Sequence, residues 1–164
     1  MQVYLLDTCI WSYWFNPNFT EHEPVLQHVE RLERGSIIGM SVVTRGEIEF
    51  GWQWNSDVKV SYRRFVEAQN PHLFDIDRHV AVEYGQLKTL LLRAYPPWGR
   101  QGTSPPRLNQ LTDPVTAEGL GVDENDLWIA AQAIVRNLVL VTNDKLARIR
   151  EVAADRLQVE NWAK

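Results

Sequence analysis

The chain has 164 residues and a mass of 19.0 kDa, the size of one ordinary domain, long enough to bury about two thirds of the surface its unfolded form exposes. Apolar residues at 45% and charged residues at 23% give a globular balance and exclude a disordered chain. A net charge of −4 excludes a generally basic nucleic-acid binder, so any contact with a polyanion must come from local basic patches or a bound cation, and the single cysteine, Cys9, excludes an intrachain disulfide and a Cys-rich zinc site.

In chain order, the first strong segment is Val3–Leu6, continuously apolar and stopped by Asp7 and Thr8. Such a run reads as a strand buried on both faces, the signature of a parallel sheet. The residues before it carry no basic stretch, and no apolar run approaches the roughly 20 residues that span a bilayer. The expectation is therefore a chain without signal peptide or membrane segment, placed in the reducing cytoplasm. Residues 22–34 look helical, and Ser36–Met40 reads as a weaker strand. Val43, Phe50, Gly51 and Trp54 line one side of a helix that Ser41 caps. Residues 56–69 look helical, a short strand is expected near Leu73, and Val80, Tyr84, Leu87, Leu91 and Ala94 keep helical spacing. Residues 95–122 hold five of the eight prolines and read as a long irregular loop, of the length often tied to function. Leu127, Ala130, Ala131 and Ile134 set the stripe of another helix, Leu138–Val141 forms a second all-apolar strand ended by Thr142, Asn143 and Asp144, and a last strand is expected near Leu157–Val159. Strands alternating with helices predict a single α/β sandwich over residues 1–164 with a mostly parallel central sheet flanked by helices.

In such sheets ligands bind beyond the carboxyl ends of the strands, where the strand order reverses. Asp7 and Asp144 follow the two most apolar strands and project there. Either alone would read as a helix cap; two together point to a site. Glu47 falls on the helical stripe of Val43, Phe50 and Trp54, where an unpaired carboxylate costs several kcal/mol. It therefore needs a partner cation, or else snorkels from the edge of the stripe. Asp126 opens the helix that starts with Leu127, in competition with Asp123, Glu124 and Asn125. Four convergent carboxylates repel and raise one another's pKa unless a cation neutralises them. An all-oxygen set suits Mg²⁺ or Mn²⁺, ions that polarise phosphodiesters and activate water.

The stretches YLLDTCIW around Asp7, TRGEIEFG around Glu47, ENDLWIAAQA around Asp126 and LVLVTND ending at Asp144, with the closing LQVENW, resemble the PIN-domain nucleases, and most closely their VapC-type toxins. The resemblance covers nearly the whole chain in order. It implies a PIN-like three-layer sandwich and an endoribonuclease dependent on Mg²⁺ or Mn²⁺, with Asp7, Glu47, Asp126 and Asp144 around the metal. It also implies an RNA substrate, a VapB-like antitoxin as partner, and a homodimer. Thr8 and Thr142 match positions that often carry a hydroxyl beside the acids. Two features depart from the pattern: the proline-rich segment before the third acid is long, and no Phe follows Asp144, leaving Leu146 or Ile149 to pack there. A non-catalytic RNA-binding or partner-binding scaffold and a structure-specific DNase are the alternatives.

Among the other residues, Arg45 is the candidate phosphate contact, with an i,i+4 pair to Glu49 as its alternative. Arg63, Arg64, Arg148 and Arg150 read as solvated faces. Cys9 reads as core, most of the seven tryptophans as packing, and the histidines carry no ligand-like spacing. Neither glycine-rich nucleotide-binding motif is present.

Overall fold

The computed structural model describes residues 2–54, 59–96, 104–113, 115–144 and 146–164. Its elements run in the order β1 (Val3–Leu6), α1 (Thr8–Phe15), α2 (His22–Glu30), β2 (Ile37–Ser41), α3 (Val42–Trp54), α4 (Lys59–Ala68), β3 (His72–Phe74), α5 (Arg78–Ala94), α6 (Glu124–Arg136), β4 (Val139–Val141), α7 (Ala147–Ala153) and β5 (Gln158–Glu160). All five strands pair in parallel, in the order β3-β2-β1-β4-β5. The chain leaves the central strand β1 to build β2 and β3 on one side. It then returns to build β4 and β5 on the other, so the order reverses at the β1–β4 seam.

The strand β1 shows why the sheet is a middle layer. Successive side chains on a strand point to opposite faces. Leu5 accordingly packs with Leu87, Leu91, Leu127 and Ala130 under α5, α6 and α7. Leu6 packs on the opposite face with Ile10, Trp11, Ile48 and Trp162. Both leucines are fully buried, as the unbroken apolar run requires. Each helix layer closes with aromatic or small residues: Trp11 stacks on Trp14, and the paired Ala130 and Ala131 let α6 lie against the sheet.

Three elements differ from the sequence expectation. α1 carries aromatic and aliphatic groups with few polar ones, so its sequence shows no polar stripe. α7 is too short to show a repeating one. In α3 the buried positions are Thr44, Ile48 and Trp52, whereas Phe50 and Trp54 are 67% and 82% exposed. The stripe assigned to the core through Phe50 and Trp54 is thus the outer face, because α3 turns toward α1 and α6 along its other side. Ser41 does cap this helix, its hydroxyl accepting from the Val43 amide at 3.0 Å.

Residues 56–58 of the expected fourth helix, and 97–103 and 114 of the expected 95–122 loop, lie outside the described residues. The described part of the loop holds one 3-10 turn, Leu108–Gln110, and a single antiparallel bridge between Thr112 and Gly119. It is not peripheral: Leu108 and Leu111 are buried in the core beneath α5 and α6. Beyond Asp144, Ile149 is fully buried and Leu146 packs against the same cluster.

Gly39, at the middle of β2, has Phe74 of β3 so close that an added Cβ would lie 2.4 Å from the ring. Gly39→Ala should therefore lower stability by about 1–3 kcal/mol, the usual cost of overpacking, read from the urea midpoint at unchanged slope.

Candidate metal centre

The centre lies at the carboxyl ends of β1 and β4. The Asp7 amide continues the ladder by donating to the Val141 carbonyl at 3.0 Å, which fixes the residue at the seam. Its side chain, 7% exposed, then receives the Thr8 amide at 2.7 Å on Oδ1 and the Thr142 hydroxyl at 2.8 Å on Oδ2. Asp7 is thus the cap of α1 and a member of the acid cluster at once. Burial raises its pKa most, and Glu47 adds to the rise, while the bonds from Thr142, Thr8 and Cys9 oppose it.

Glu47 reaches the seam from α3, half-buried on the border of its packed face. The Thr8 hydroxyl donates to Oε2, and the Asn125 amide donates to Oε1 at 2.7 Å. The carboxylate needs no basic partner because two neutral donors satisfy it.

The candidates at the start of α6 separate by role. Asp123 is the cap, accepting the Asn125 amide at 2.8 Å. Glu124 pairs with Lys88 at 2.6 Å and accepts from the Tyr84 hydroxyl. Asn125 holds Glu47. Asp126 faces the cluster, its pKa pushed up to about 7, first by burial and then by the charges of Asp7, Asp123, Asp144 and Glu47. Asp144 is exposed, after Thr142, whose hydroxyl oxygen accepts the Asp144 amide at 3.1 Å. Asp126 and Asp144 make no side-chain hydrogen bond among the described residues.

The structure therefore brings together Asp7, Glu47, Asp126 and Asp144 with Thr8 and Thr142. It places Arg45 elsewhere, in an ion pair whose Nε donates to Glu49 at 2.9 Å, with its guanidinium 4.9 Å from the Trp52 ring centre. Two further residues belong to the centre: Asn125, which the sequence offered only as a competitor of Asp126, and Cys9. Asn125 carries no charge to betray it. Cys9, read as core, has its thiol 3.5 Å from Asp7 and 3.7 Å from the Thr142 hydroxyl. Ligand atoms of Asp7, Cys9 and Asp144 lie within 4.8 Å of one another, close enough to hold a metal ion. Burial and the Asp7 charge push the thiol up to about 12, so at neutral pH it is a neutral neighbour. Three cavities border the cluster, one of about 350 Å³ at Asp126 and Asp144, one of about 410 Å³ at Thr8 and Glu47, and one of about 990 Å³ at Thr142 and Asp144.

A pH dependence follows. Asp126 binds its proton more tightly in the folded protein than in the unfolded one. Its contribution to stability is intact below about pH 4 and is lost as pH climbs through about 7. Asp126→Asn should thus match the parent at pH 4 and melt higher at pH 8 in EDTA. Each kcal/mol gained raises the melting temperature by about 2–4 °C.

No protein-family model matches the chain, and no curated protein matches it in sequence. Solved structures do. A chain of VapBC2 from Rickettsia felis, bound to a DNA fragment of its promoter, superimposes with a TM-score of 0.70 at 22% identity, over 98% of this chain and 99% of that one. A chain of VapBC-1 from nontypeable Haemophilus influenzae gives 0.68 at 22% identity, over 99% and 100%. A chain of VapBC-5 from Mycobacterium tuberculosis, a member of the VapBC family of toxin–antitoxin systems, gives 0.56 at 21% identity, over 98% of each. The five-stranded parallel sheet between two helical layers is thus a PIN-like α/β sandwich, the fold of these VapBC chains.

Proposed function

We propose that this chain is a divalent-metal-dependent endoribonuclease, hydrolysing RNA phosphodiester bonds as the toxin of a toxin–antitoxin pair. One observation carries the reading: the Asp7 and Asp144 carboxylates lie close enough to share an ion, and their charges, with that of Glu47, bear on the half-buried Asp126. Such a cluster stores repulsion that a cation relieves.

The donor set fits a hard ion. Asp7, Glu47, Asp126 and Asp144 would hold Mg²⁺ or Mn²⁺ through oxygen, the ligand these ions prefer. When bound, the ion offsets the carboxylate charge and polarises a phosphodiester toward attack by water.

The remaining work falls to the chain. Thr142 and the Thr8 amide orient both oxygens of Asp7, and the Thr8 hydroxyl and Asn125 orient Glu47. Both carboxylates are thereby held before any ligand arrives, and geometry fixed in advance is what positions reacting groups. The cavities flanking the cluster leave room for a strand on either side of the cleaved bond. The solved neighbours are VapBC complexes, and we extend to this chain a VapB-like antitoxin partner and a homodimeric state.

Asp7→Asn and Asp126→Asn should each abolish RNA cleavage with the circular-dichroism spectrum unchanged, and EDTA should stop the parent until Mn²⁺ or Mg²⁺ is restored. Equal turnover by either variant would refute the site. Matched RNA and DNA oligonucleotides separate this activity from a DNase, and Mn²⁺ calorimetry separates it from an inert scaffold. Thr142→Val should weaken Mn²⁺ affinity about 10–100-fold, the usual cost of losing a group that orients a ligand.

A further inference from the structure

Arg148 lines the same cavity of about 350 Å³ as Asp126 and Asp144, and among the described residues it is that cavity's only cation. Leu120, Val122 and Leu146 supply its apolar wall. At about 350 Å³ it stands at the small end of ligand sites, which run about 300–1,000 Å³, and has room for one sugar-phosphate unit.

The guanidinium is braced from outside this cavity. Its Nη2 donates to Asp113, and its Nη1 donates to the Tyr95 hydroxyl at 3.3 Å and to Glu151 at 3.4 Å. The Tyr95 ring centre lies 5.0 Å from Cζ. None of these three residues lines the cavity. Asp113 is itself fixed, its carboxylate accepting the amides of Val115 and Thr116 at 2.8 and 3.1 Å. Arg148 Nε makes no hydrogen bond among the described residues. A planar fork held along one edge and open on the other is suited to a phosphate oxygen, because Arg loses little freedom on pairing when its plane is already set.

We propose that Arg148 is a substrate-binding residue that receives the backbone phosphate next to the one cleaved, with the Asp113–Tyr95–Glu151 brace setting its plane. The inference rests on the nuclease reading above and adds to it a phosphate subsite on the Asp126 and Asp144 side. It departs from the expectation that Arg148 belongs to a solvated face.

The test measures binding of a labelled single-stranded RNA by fluorescence anisotropy across a salt series, with Ca²⁺ in place of Mg²⁺. Each phosphate contact contributes about 0.7 to the slope of log affinity against log salt on single strands. Arg148→Gln should weaken binding about tenfold or more and lower the slope by about 0.7. Arg148→Lys should keep the slope while losing part of the affinity. Asp113→Asn, which loosens the brace and spares the cation, should also keep the slope. In cleavage, Arg148→Gln should raise KM more than it lowers kcat, with Mn²⁺ affinity by calorimetry unchanged. An unchanged slope in Arg148→Gln, or equal losses in Arg148→Gln and Asp113→Asn, would mean the arginine only anchors the loop, and would overturn this inference alone. No binding of RNA by the parent protein overturns it together with the nuclease reading. Equal behaviour on matched DNA leaves the phosphate subsite supported and refutes the choice of RNA.

Discussion

The centre depends on one seam. β1 and β4 are neighbours buried on both faces, and the first residue past β1 is tied to the last of β4 by a backbone hydrogen bond. A carboxylate at that point has little freedom and little water. Thr142 sits just past β4, so its hydroxyl meets Asp7 because of the strand register. The sheet therefore positions the first acid through main-chain geometry, and the others converge on it from helices packed against the same two strands. Moving the register by one residue would turn Asp7 and Thr142 to opposite faces.

This arrangement sets stability against function in a small volume. Four acids and a capping aspartate crowd one end of the molecule, and burial adds to their mutual repulsion at Asp126. The fold tolerates the strain by directing neutral donors at it: two threonine hydroxyls, the Asn125 amide and the Thr8 backbone. None of these donors brings a positive charge, so the cluster stays negative and keeps its affinity for a cation. Arg148, which shares a cavity with Asp126 and Asp144, is paired with Asp113 rather than with the cluster. A free guanidinium at Asp7 would satisfy the carboxylates and close the site.

The elements legible in the sequence are those whose pattern is set by burial alone. Val3–Leu6 and the strand ending at Val141 read directly, because so short a run of aliphatic and aromatic residues, with no charged position, fits a strand covered on both sides. The acids that follow these strands inherit that certainty of position. The harder cases sit between layers. α3 touches both helical layers, with Val43 against one core and Ile48 and Trp52 in the other, so no single stripe describes it. The stripe through Phe50 and Trp54 lies on the solvent side, and Glu47 belongs to the centre because it sits at the border of the packed face, not because that stripe is buried. Spacing does not single out Asn125 or Arg148. The role of one comes from a hydrogen bond across 78 positions, and that of the other from a brace supplied by a segment whose prolines advertise only irregularity.

Cys9 illustrates what the pocket's polarity does to a reactive group. Burial and the Asp7 charge push the Cys9 thiol up to about 12, so the group beside the carboxylates is the thiol, while the thiolate is the form that peroxides, disulfides and alkylating agents attack. Sulfur thus sits beside the carboxylates in a chemically quiet form.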